Sequence, residues 1–415
     1  MQREILVQPQ PRAWLEKSIL QPYVSRYSEH LQGWRYAVST QRVYLCCVAH
    51  FGHWLTMERC DLEAIGRSVV MRFLSEHLPV CACPYPVRRL RYELRAALGH
   101  LLEVLQAAGV VLQESSRGSA IAQEVTRFDA HMRDVGGLTE STRRRRCKVA
   151  EDFLVAHFGE RPLVMAAISA TSVRRFILGA PGRNPPSVAA VGDAIGCYFC
   201  FRSMSGDDLK GLTGAIPRIA QWRLAALPEV LADVEIDELL RSFEQTFPSR
   251  RRAYAMVRCL TDLGLRSGEV VKLQLDDVNW IDGTITLAGT KGRRADILPL
   301  PHATGAAIAA YLREERPATS SRAIFVRHVA PYDKPITPAT LKKAVLAGYR
   351  RCGWTRTGVH ILRHSMASRL LRTGAPMKEI ADVLRHRSLN TSAIYAKVDL
   401  NKLAAVALPW PGSAR

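Results

Sequence analysis

An internal repeat in the first half of this 415-residue chain restricts its fold more than any other sequence feature. Segments about 102 residues apart match in the same order, which is typical of a duplicated folding unit. Three sets of residues carry the match: Tyr27, His30 and Leu31 with Phe128, His131 and Met132; Ser39, Thr40 and Phe51 with Ser141, Thr142 and Phe153; and Ile65, Val70, Arg72, Phe73 and Leu74 with Ile168, Val173, Arg175, Phe176 and Ile177. The sequence therefore predicts two helical bundles in tandem, residues 1–115 and residues 119–212.

A Ser-Thr pair stands just before a long helical pattern in each copy, at Ser39-Thr40 and at Ser141-Thr142. Their hydroxyls are expected to cap the first turn. In the second copy Arg143, Arg144, Arg145 and Arg146 follow, and four adjacent arginines wrap around a helix instead of forming one stripe. They form either a solvated surface or contacts to phosphate, and we expect phosphate contacts from them and from Arg42 in the first copy.

Positive charge is in large excess: 58 Lys and Arg stand against 38 Asp and Glu, a formal net charge of +20. Such a balance favours a polyanionic partner. The basic residues are spread along the whole chain and do not line one amphipathic helix, so nucleic acid is favoured over a membrane surface. No run approaches a membrane span and the first residues lack a signal-peptide core, so we expect a cytoplasmic protein of several domains.

Ten cysteines are irregularly spaced, which is unlike a secreted disulfide framework, so reduced thiols are expected. One cluster leaves two interpretations open, a structural zinc site or buried free cysteines. It comprises Cys47, His50 and His53 at helical spacing, followed by Cys60, Cys81 and Cys83. Because two C-x-x-C pairs at finger spacing are missing, we predict no metal.

The pattern changes in the second half, where two amphipathic helices precede short β-rich segments. The predicted helices are Val234–Phe247 and Tyr254–Leu263, and the predicted strands are Val278–Ile281, Thr284–Leu287 and Ile297–Leu300. Asp282-Gly283 between the first two strands is typical of a two-residue hairpin turn. These segments predict a small three-stranded sheet beside helices.

Four short pieces of the second half carry polar residues suited to chemistry on a phosphate. They are Leu263–Glu269, which contains Arg266; the predicted turn Gly289–Gly292 between the second and third strands, which contains Lys291; His360-Ile361-Leu362-Arg363-His364; and Leu384–Ser388, which contains His386 and precedes Tyr395. Taken alone, Arg266 also fits a surface arginine, Lys291 a solvated lysine and Tyr395 a core tyrosine. Their combination and order are what distinguish the chain.

This ordered set resembles the catalytic domain of the tyrosine recombinases, the family of lambda integrase, XerC, XerD and Cre. The resemblance covers about residues 234–400. It implies a mainly α-helical protein with a small antiparallel β-sheet: an α+β catalytic domain at residues 228–415, a SAM-like helical core-binding domain at residues 119–212, and an additional DNA-binding arm at residues 1–115. The chain departs from the family at Arg385, where Gly is usual; a positive φ there would cost Arg about 1 kcal/mol.

The resemblance implies a role for each polar residue. Two guanidiniums suit the oxygens of a phosphodiester because they offer paired donors and stay charged. Tyr395 would be the nucleophile, and a phenol needs a base or nearby positive charge to react. The remaining expected roles are phosphate binding by Arg266, Arg363 and His386, general base for His360, general acid for Lys291, orientation of Arg266 or a histidine by Glu269, and DNA contact by Arg293.

We therefore expect a site-specific recombinase or integrase of a mobile element. It would act on double-stranded DNA through a 3′-phosphotyrosyl intermediate, without metal, cofactor or ATP, as a homotetramer or a mixed recombinase assembly. The apolar tail at Leu403, Ala404, Val406 and Leu408 would cover the chain's own core or dock on a neighbouring protomer. Two alternatives remain: relaxation of DNA by a type IB topoisomerase, and sequence-specific DNA binding by a catalytically impaired protein of the same fold.

Overall fold

The structure is a computed structural model that describes residues 9–110, 120–159, 161–179, 185–217, 228–287 and 296–385. The chain divides into two compact units. The first contains Met1–His50, Cys83–His100 and Leu224–Arg415, and the second contains Phe51–Ala82 and Leu101–Arg223. None of the described helices combines the length and hydropathy that crossing a bilayer requires.

The described residues of the first half form helices joined by loops, and they include no strand. Its helices are α1 (Pro9–Lys17), α2 (Val24–Gly33), α3 (Val38–Met57), α4 (Arg67–Arg72), α5 (Arg91–Ala107), α6 (Ala120–Asp134), α7 (Glu140–Phe158), α8 (Ala170–Leu178), α9 (Pro185–Met204) and α10 (Lys210–Gly214). The order of α2 to α5 recurs in α6 to α9, in agreement with the predicted repeat. Ser39 is the second residue of α3 and Ser141 is the second residue of α7. The residues matched in the sequence repeat therefore occupy equivalent positions in the two helices.

The predicted Ser-Thr caps are wrong. Both pairs lie inside their helices, because α3 begins at Val38 and α7 begins at Glu140. The N-cap of α7 is Thr139, whose extended backbone, φ −65° and ψ 149°, starts the helix before Ser141 is reached. Its hydroxyl lies 3.1 Å from the Thr142 hydroxyl and caps no backbone N–H.

Aromatic side chains contribute contacts among themselves to the core of the second unit, beside aliphatic residues. The rings of Phe128 and Tyr198 meet edge to face at 5.3 Å, and those of Phe153 and Phe176 do so at 5.1 Å. The Tyr198 hydroxyl donates to the buried Glu124 carboxylate at 3.1 Å. Such rings bury large apolar areas while the phenol keeps a polar partner, which is how tyrosine is accommodated in a core.

Helices of the second half surround α12, whose residues from Ala253 to Thr261 are buried almost without interruption. A helix that is apolar on most sides belongs at the centre of a domain. The described helices are α11 (Asp233–Arg241), α12 (Arg250–Thr261), α13 (Ser267–Val270), α14 (His302–Glu314), α15 (Pro338–Arg351), α16 (His360–Arg372) and α17 (Met377–Val383). The two predicted amphipathic helices correspond to α11 and α12, each with shifted ends.

The predicted three-stranded sheet is confirmed. Its antiparallel order is β1-β2-β3, and the strands are β1 (Val278–Asn279), β2 (Thr284–Leu287) and β3 (Asp296–Pro299). Leu287 pairs with Asp296, and the intervening residues, which include the predicted turn at Gly289–Gly292, lie outside the described residues. Ile285 and Leu287 point into the core, where they anchor the sheet.

The predicted two-residue hairpin turn at Asp282-Gly283 is wrong. Asn279 pairs with Thr284, so four residues connect the strands. The Asn279 side-chain oxygen accepts from the Ile281 and Asp282 N–H groups at 3.0 and 3.1 Å. This local bond turns the chain before Asp282, as asparagine side chains commonly do.

Candidate active site

The structure describes four of the seven residues with predicted catalytic roles. These are Arg266, Glu269, His360 and Arg363. Lys291, His386 and Tyr395 lie outside the described residues, as does Arg293. The described four come from two places in the chain, the segment after α12 and the start of α16, and both belong to the first unit.

Arg266 and Glu269 are joined by two hydrogen bonds. Glu269 accepts from the Arg266 backbone N–H and from its guanidinium, each at 2.7 Å. Arg266 occupies the N-cap position of α13, so its carboxylate partner three residues on closes the first turn of that short helix. Glu269 was predicted to orient either Arg266 or a histidine; it binds Arg266, whose side chain remains 33% exposed, and His386 lies outside the described residues.

Arg363 lies on α16 and is only 4% exposed. Its guanidinium donates to the carbonyl oxygen of Gly264 and to that of Leu384. A buried charge is stable only when it is paired or hydrogen-bonded. Arg363 therefore joins the loop that precedes Arg266 to the end of α17.

Gly264 makes that loop sterically possible. Its φ is +57°, and a Cβ placed on it would lie 3.0 Å from a Leu384 side-chain carbon and 3.2 Å from the Met366 sulfur. Glycine adopts this backbone region without a steric penalty. The Gly-Leu-Arg order thus has a physical basis, since the glycine lets the chain pass close to α16 and α17 just before Arg266.

His360 begins α16 and shares one helical turn with Arg363. The ring reaches solvent, yet its pKa is lowered from 6.5, first by partial burial and then by the Arg363 and Arg266 charges. The neutral imidazole is consequently favoured near pH 7, as a general base requires. His364, one turn further along, also has a lowered pKa, because of burial and the His360 and Arg363 charges.

Arg385 is a site residue for which the sequence pattern predicts no role. Its guanidinium donates to Glu269 at 2.6 Å and to the Val383 carbonyl at 3.0 Å, and its own carbonyl accepts from the Arg266 guanidinium at 3.2 Å. Burial alone would raise the pKa of the Glu269 carboxyl, but the Arg266 N–H and the Arg385 and Arg266 charges outweigh it and lower that pKa. The sequence signal was the departure from Gly at this position.

We call the guanidiniums of Arg266, Arg363 and Arg385 the arginine cluster. Arg266 and Arg385 share the Glu269 carboxylate, and Arg363 binds the carbonyls of Gly264 and Leu384, which stand shortly before them in the chain. Three fixed positive charges and one negative charge favour binding of an anion. Preorganised donors of this kind stabilise negative charge in a transition state without having to reorient. The cluster together with His360 is therefore suited to chemistry on a phosphate group.

The predicted DNA-contacting run on α7 divides into two pairs. Arg143 donates to Asp129 at 2.9 Å and to the Leu138 carbonyl at 3.2 Å, and Arg146 donates to the Cys197 sulfur at 3.2 Å. Arg144 and Arg145 are exposed. Arg144 also pairs with Glu140 one turn earlier. The expected phosphate contacts of the whole run stay a prediction, and Arg143 and Arg146 are the two whose guanidiniums also bind other helices of their own bundle. Arg42 on α3 is exposed as well.

A family model, related sequences and a solved structure that resemble this chain all belong to integrases or recombinases. Residues 229–402 match the model of the phage integrase family. The chain is 35% identical to the integrase/recombinase y4rA of Sinorhizobium fredii, over 95% of this chain and 95% of that protein. It is 28% identical to the tyrosine recombinase XerA of Pyrococcus furiosus, over 57% of this chain and 78% of that protein. The XerH site-specific recombinase bound to palindromic difH substrate has a similar fold, with a TM-score of 0.51 and 18% identity over 88% of this chain and 96% of that one.

Proposed function

Because the chain belongs to the phage integrase family of tyrosine recombinases, we propose that it cleaves and rejoins DNA through a covalent bond between Tyr395 and a 3′ phosphate. Site-specific DNA recombination is the activity of the family. The observation that carries the mechanistic proposal is the arginine cluster, two of whose members, Arg266 and Arg363, lie close enough to His360 for their charges to lower its pKa. The following roles are proposals for this chain.

Charge stabilisation falls to Arg266 and Arg363. An attacked phosphodiester develops negative charge on its non-bridging oxygens, and planar guanidiniums offer paired donors to two such oxygens. A guanidinium has five N–H groups, so Arg363 can bind the Gly264 and Leu384 carbonyls and also face a phosphate oxygen. His386 would add a further hydrogen bond.

Proton transfer falls to His360 and Lys291. The neutral imidazole of His360 accepts the phenolic proton as the Tyr395 oxygen attacks the phosphorus. The bond from phosphorus to the 5′ oxygen breaks, and Lys291 gives that oxygen a proton. The products are a 3′-phosphotyrosyl ester and a free 5′-hydroxyl, and attack by the 5′-hydroxyl of another strand reverses each step. No step uses ATP or a metal ion.

The helical first half would bind the DNA on either side of the cleavage point. The proposed domains are an arm at residues 1–115, a core-binding domain at residues 119–212 and a catalytic domain at residues 228–415. The net charge of +20 and the exposed Arg42, Arg144 and Arg145 support this role. Recombination exchanges strands between two duplexes, and each duplex has two strands to cleave, so we propose that a tetramer, of this chain alone or with partner recombinases, inserts or excises a mobile element.

Strand exchange between two duplexes tests the proposal. Purified protein is incubated, with EDTA and without ATP, with two labelled duplexes that carry the DNA sequence bordering its own gene. We expect recombinant products and a covalent intermediate. Relaxation of a supercoiled plasmid without recombinant products would indicate a topoisomerase instead. Specific binding without any covalent product would indicate a DNA-binding protein that lacks catalysis, and either result would refute the proposal.

A further inference from the structure

Arg385 occupies a backbone position that does not suit it. Its φ is +55°, one of four positive φ values at residues other than glycine in the described part of the chain. Such a conformation costs a residue with a Cβ on the order of 1 kcal/mol, whereas glycine adopts it freely. Glycine is also the residue usual in the family here. The arginine side chain must therefore contribute something that glycine cannot.

The side chain of Arg385 is directed into the site. It is 5% exposed, and its guanidinium donates to Glu269 at 2.6 Å across a separation of 116 residues. The Arg385 carbonyl accepts from the Arg266 guanidinium at 3.2 Å. One residue thus contacts both members of the Arg266–Glu269 pair, once by its side chain and once by its backbone.

Glu269 is held from two sides as a result. One of its oxygens accepts from the Arg266 guanidinium, and the other accepts from the Arg266 N–H and from Arg385. A carboxylate fixed at both oxygens has little freedom to turn, and neither has the guanidinium that it binds. Transition-state stabilisation depends on such fixed geometry, and a displacement of about 1 Å can reduce a rate about 100-fold.

We propose that Arg385 is a positioning residue that fixes the Arg266 guanidinium toward the scissile phosphate, through Glu269 and through its own carbonyl. This inference rests on the proposed recombinase function. It assigns to this chain a third arginine at a place where glycine is usual in the family. The Arg385 side chain would raise the rate of the chemical step, and the affinity for DNA would depend on other residues.

The test compares single-turnover cleavage of a nicked duplex at saturating protein with the Kd for the same duplex. Arg385→Gly and Arg385→Asn both tolerate the positive φ, so each keeps the backbone while removing the guanidinium. We expect the cleavage rate to fall about 10- to 100-fold and the Kd to change less than about threefold. Arg385→Lys, which can still donate to Glu269, should recover part of the rate.

A double-mutant cycle with Glu269→Gln identifies the route of the effect. If Arg385 acts through Glu269, the double variant is no slower than the slower single variant. Arg59→Gly serves as the control, because Arg59 is another arginine with positive φ, at +52°, and its replacement should leave the saturated rate unchanged. Wild-type-like cleavage by Arg385→Gly, a loss confined to Kd, or fully multiplicative effects would overturn the inference. Absence of any adduct from the wild type would instead refute the proposed function on which it rests.

Discussion

The guanidinium of Arg363 has exchanged nearly all of its hydration for contacts with protein. Its bonds to the Gly264 and Leu384 carbonyls reach the two residues that stand close before Arg266 and directly before Arg385. The buried guanidinium of Arg363 can therefore fix the backbone that carries the other two guanidiniums, those of Arg266 and Arg385. At this scale the site is a set of guanidiniums held by backbone carbonyls and one carboxylate, and its histidine responds to their charge.

His360 provides a pH test at the residue scale. Its pKa lies below the ordinary 6.5, so the neutral base form is present above that lowered pKa and is lost as the pH falls through it. We expect the rate of adduct formation to rise from acid pH with a midpoint below 6.5 and to be level by about pH 7. Single-turnover rates across this range measure the midpoint.

His360→Gln is the control for that assignment, since an amide keeps hydrogen bonding but does not titrate near neutrality. The variant should cleave slowly and lose the acid limb of the profile. An acid limb that remains unchanged in His360→Gln, or a wild-type midpoint above 7, would show that another group is the base.

The elements meet at the site through their ends. Arg266 follows α12, His360 starts α16 and Arg385 follows α17. The tight passage at Gly264 allows these ends to approach, because its φ of +57° and the nearby Leu384 and Met366 side chains leave no room for a Cβ. Placement of the side chains proposed to be catalytic therefore depends on the loops as well as on the helices that carry them.

Gly264→Ala is expected to lower the free energy of unfolding by about 1–3 kcal/mol, through backbone strain and overpacking against Leu384 and Met366. Chemical denaturation measures this change. Gly268→Ala is the matched control, because a Cβ there would meet nothing within 4 Å and alanine favours a helix, so its stability should be unchanged or slightly higher. Equal effects of the two substitutions would contradict the packing argument.

Sequence patterns were sufficient for the parts of the fold that depend on local order. The three-stranded sheet, α12 and the His360–Arg363 spacing all follow from residues close together in the chain. The contact of Arg385 with Glu269 joins residues 116 positions apart, and no local pattern indicates it. Likewise the pairing of Arg143 with Asp129 depends on how α6 and α7 pack, which a run of four arginines does not reveal.

The whole molecule is dominated by its positive charge. A net charge of +20 on 415 residues gives steep, salt-dependent attraction to DNA, and phosphate contacts determine that dependence. Several arginine side chains, such as those of Arg143 and Arg363, are hydrogen-bonded within the protein. We therefore expect the contacts to DNA to come mainly from arginines that are exposed. We therefore expect DNA affinity and the rate of cleavage to depend on different residues.

Arg144→Ala with Arg145→Ala tests this separation. Each lost phosphate contact reduces the slope of log K against log salt by about 0.9, so the double variant should lose up to about 2 in slope while its saturated cleavage rate is kept. Fluorescence anisotropy at several salt concentrations measures the slope. The control removes two exposed arginines of α6, Arg127 and Arg133. Equal slope losses in both double variants would indicate bulk charge and contradict specific contact.

The covalent bond between protein and DNA is the most direct test. Wild type, Tyr395→Phe and the exposed control Tyr92→Phe are incubated with a nicked duplex that traps the intermediate, and the DNA-linked peptide is identified by mass spectrometry. The result predicted is an adduct at Tyr395 from the wild type and the control, and none from Tyr395→Phe, which still binds the duplex with a Kd within about threefold of the wild type. An adduct at another residue, or an adduct from Tyr395→Phe, would contradict the proposed mechanism.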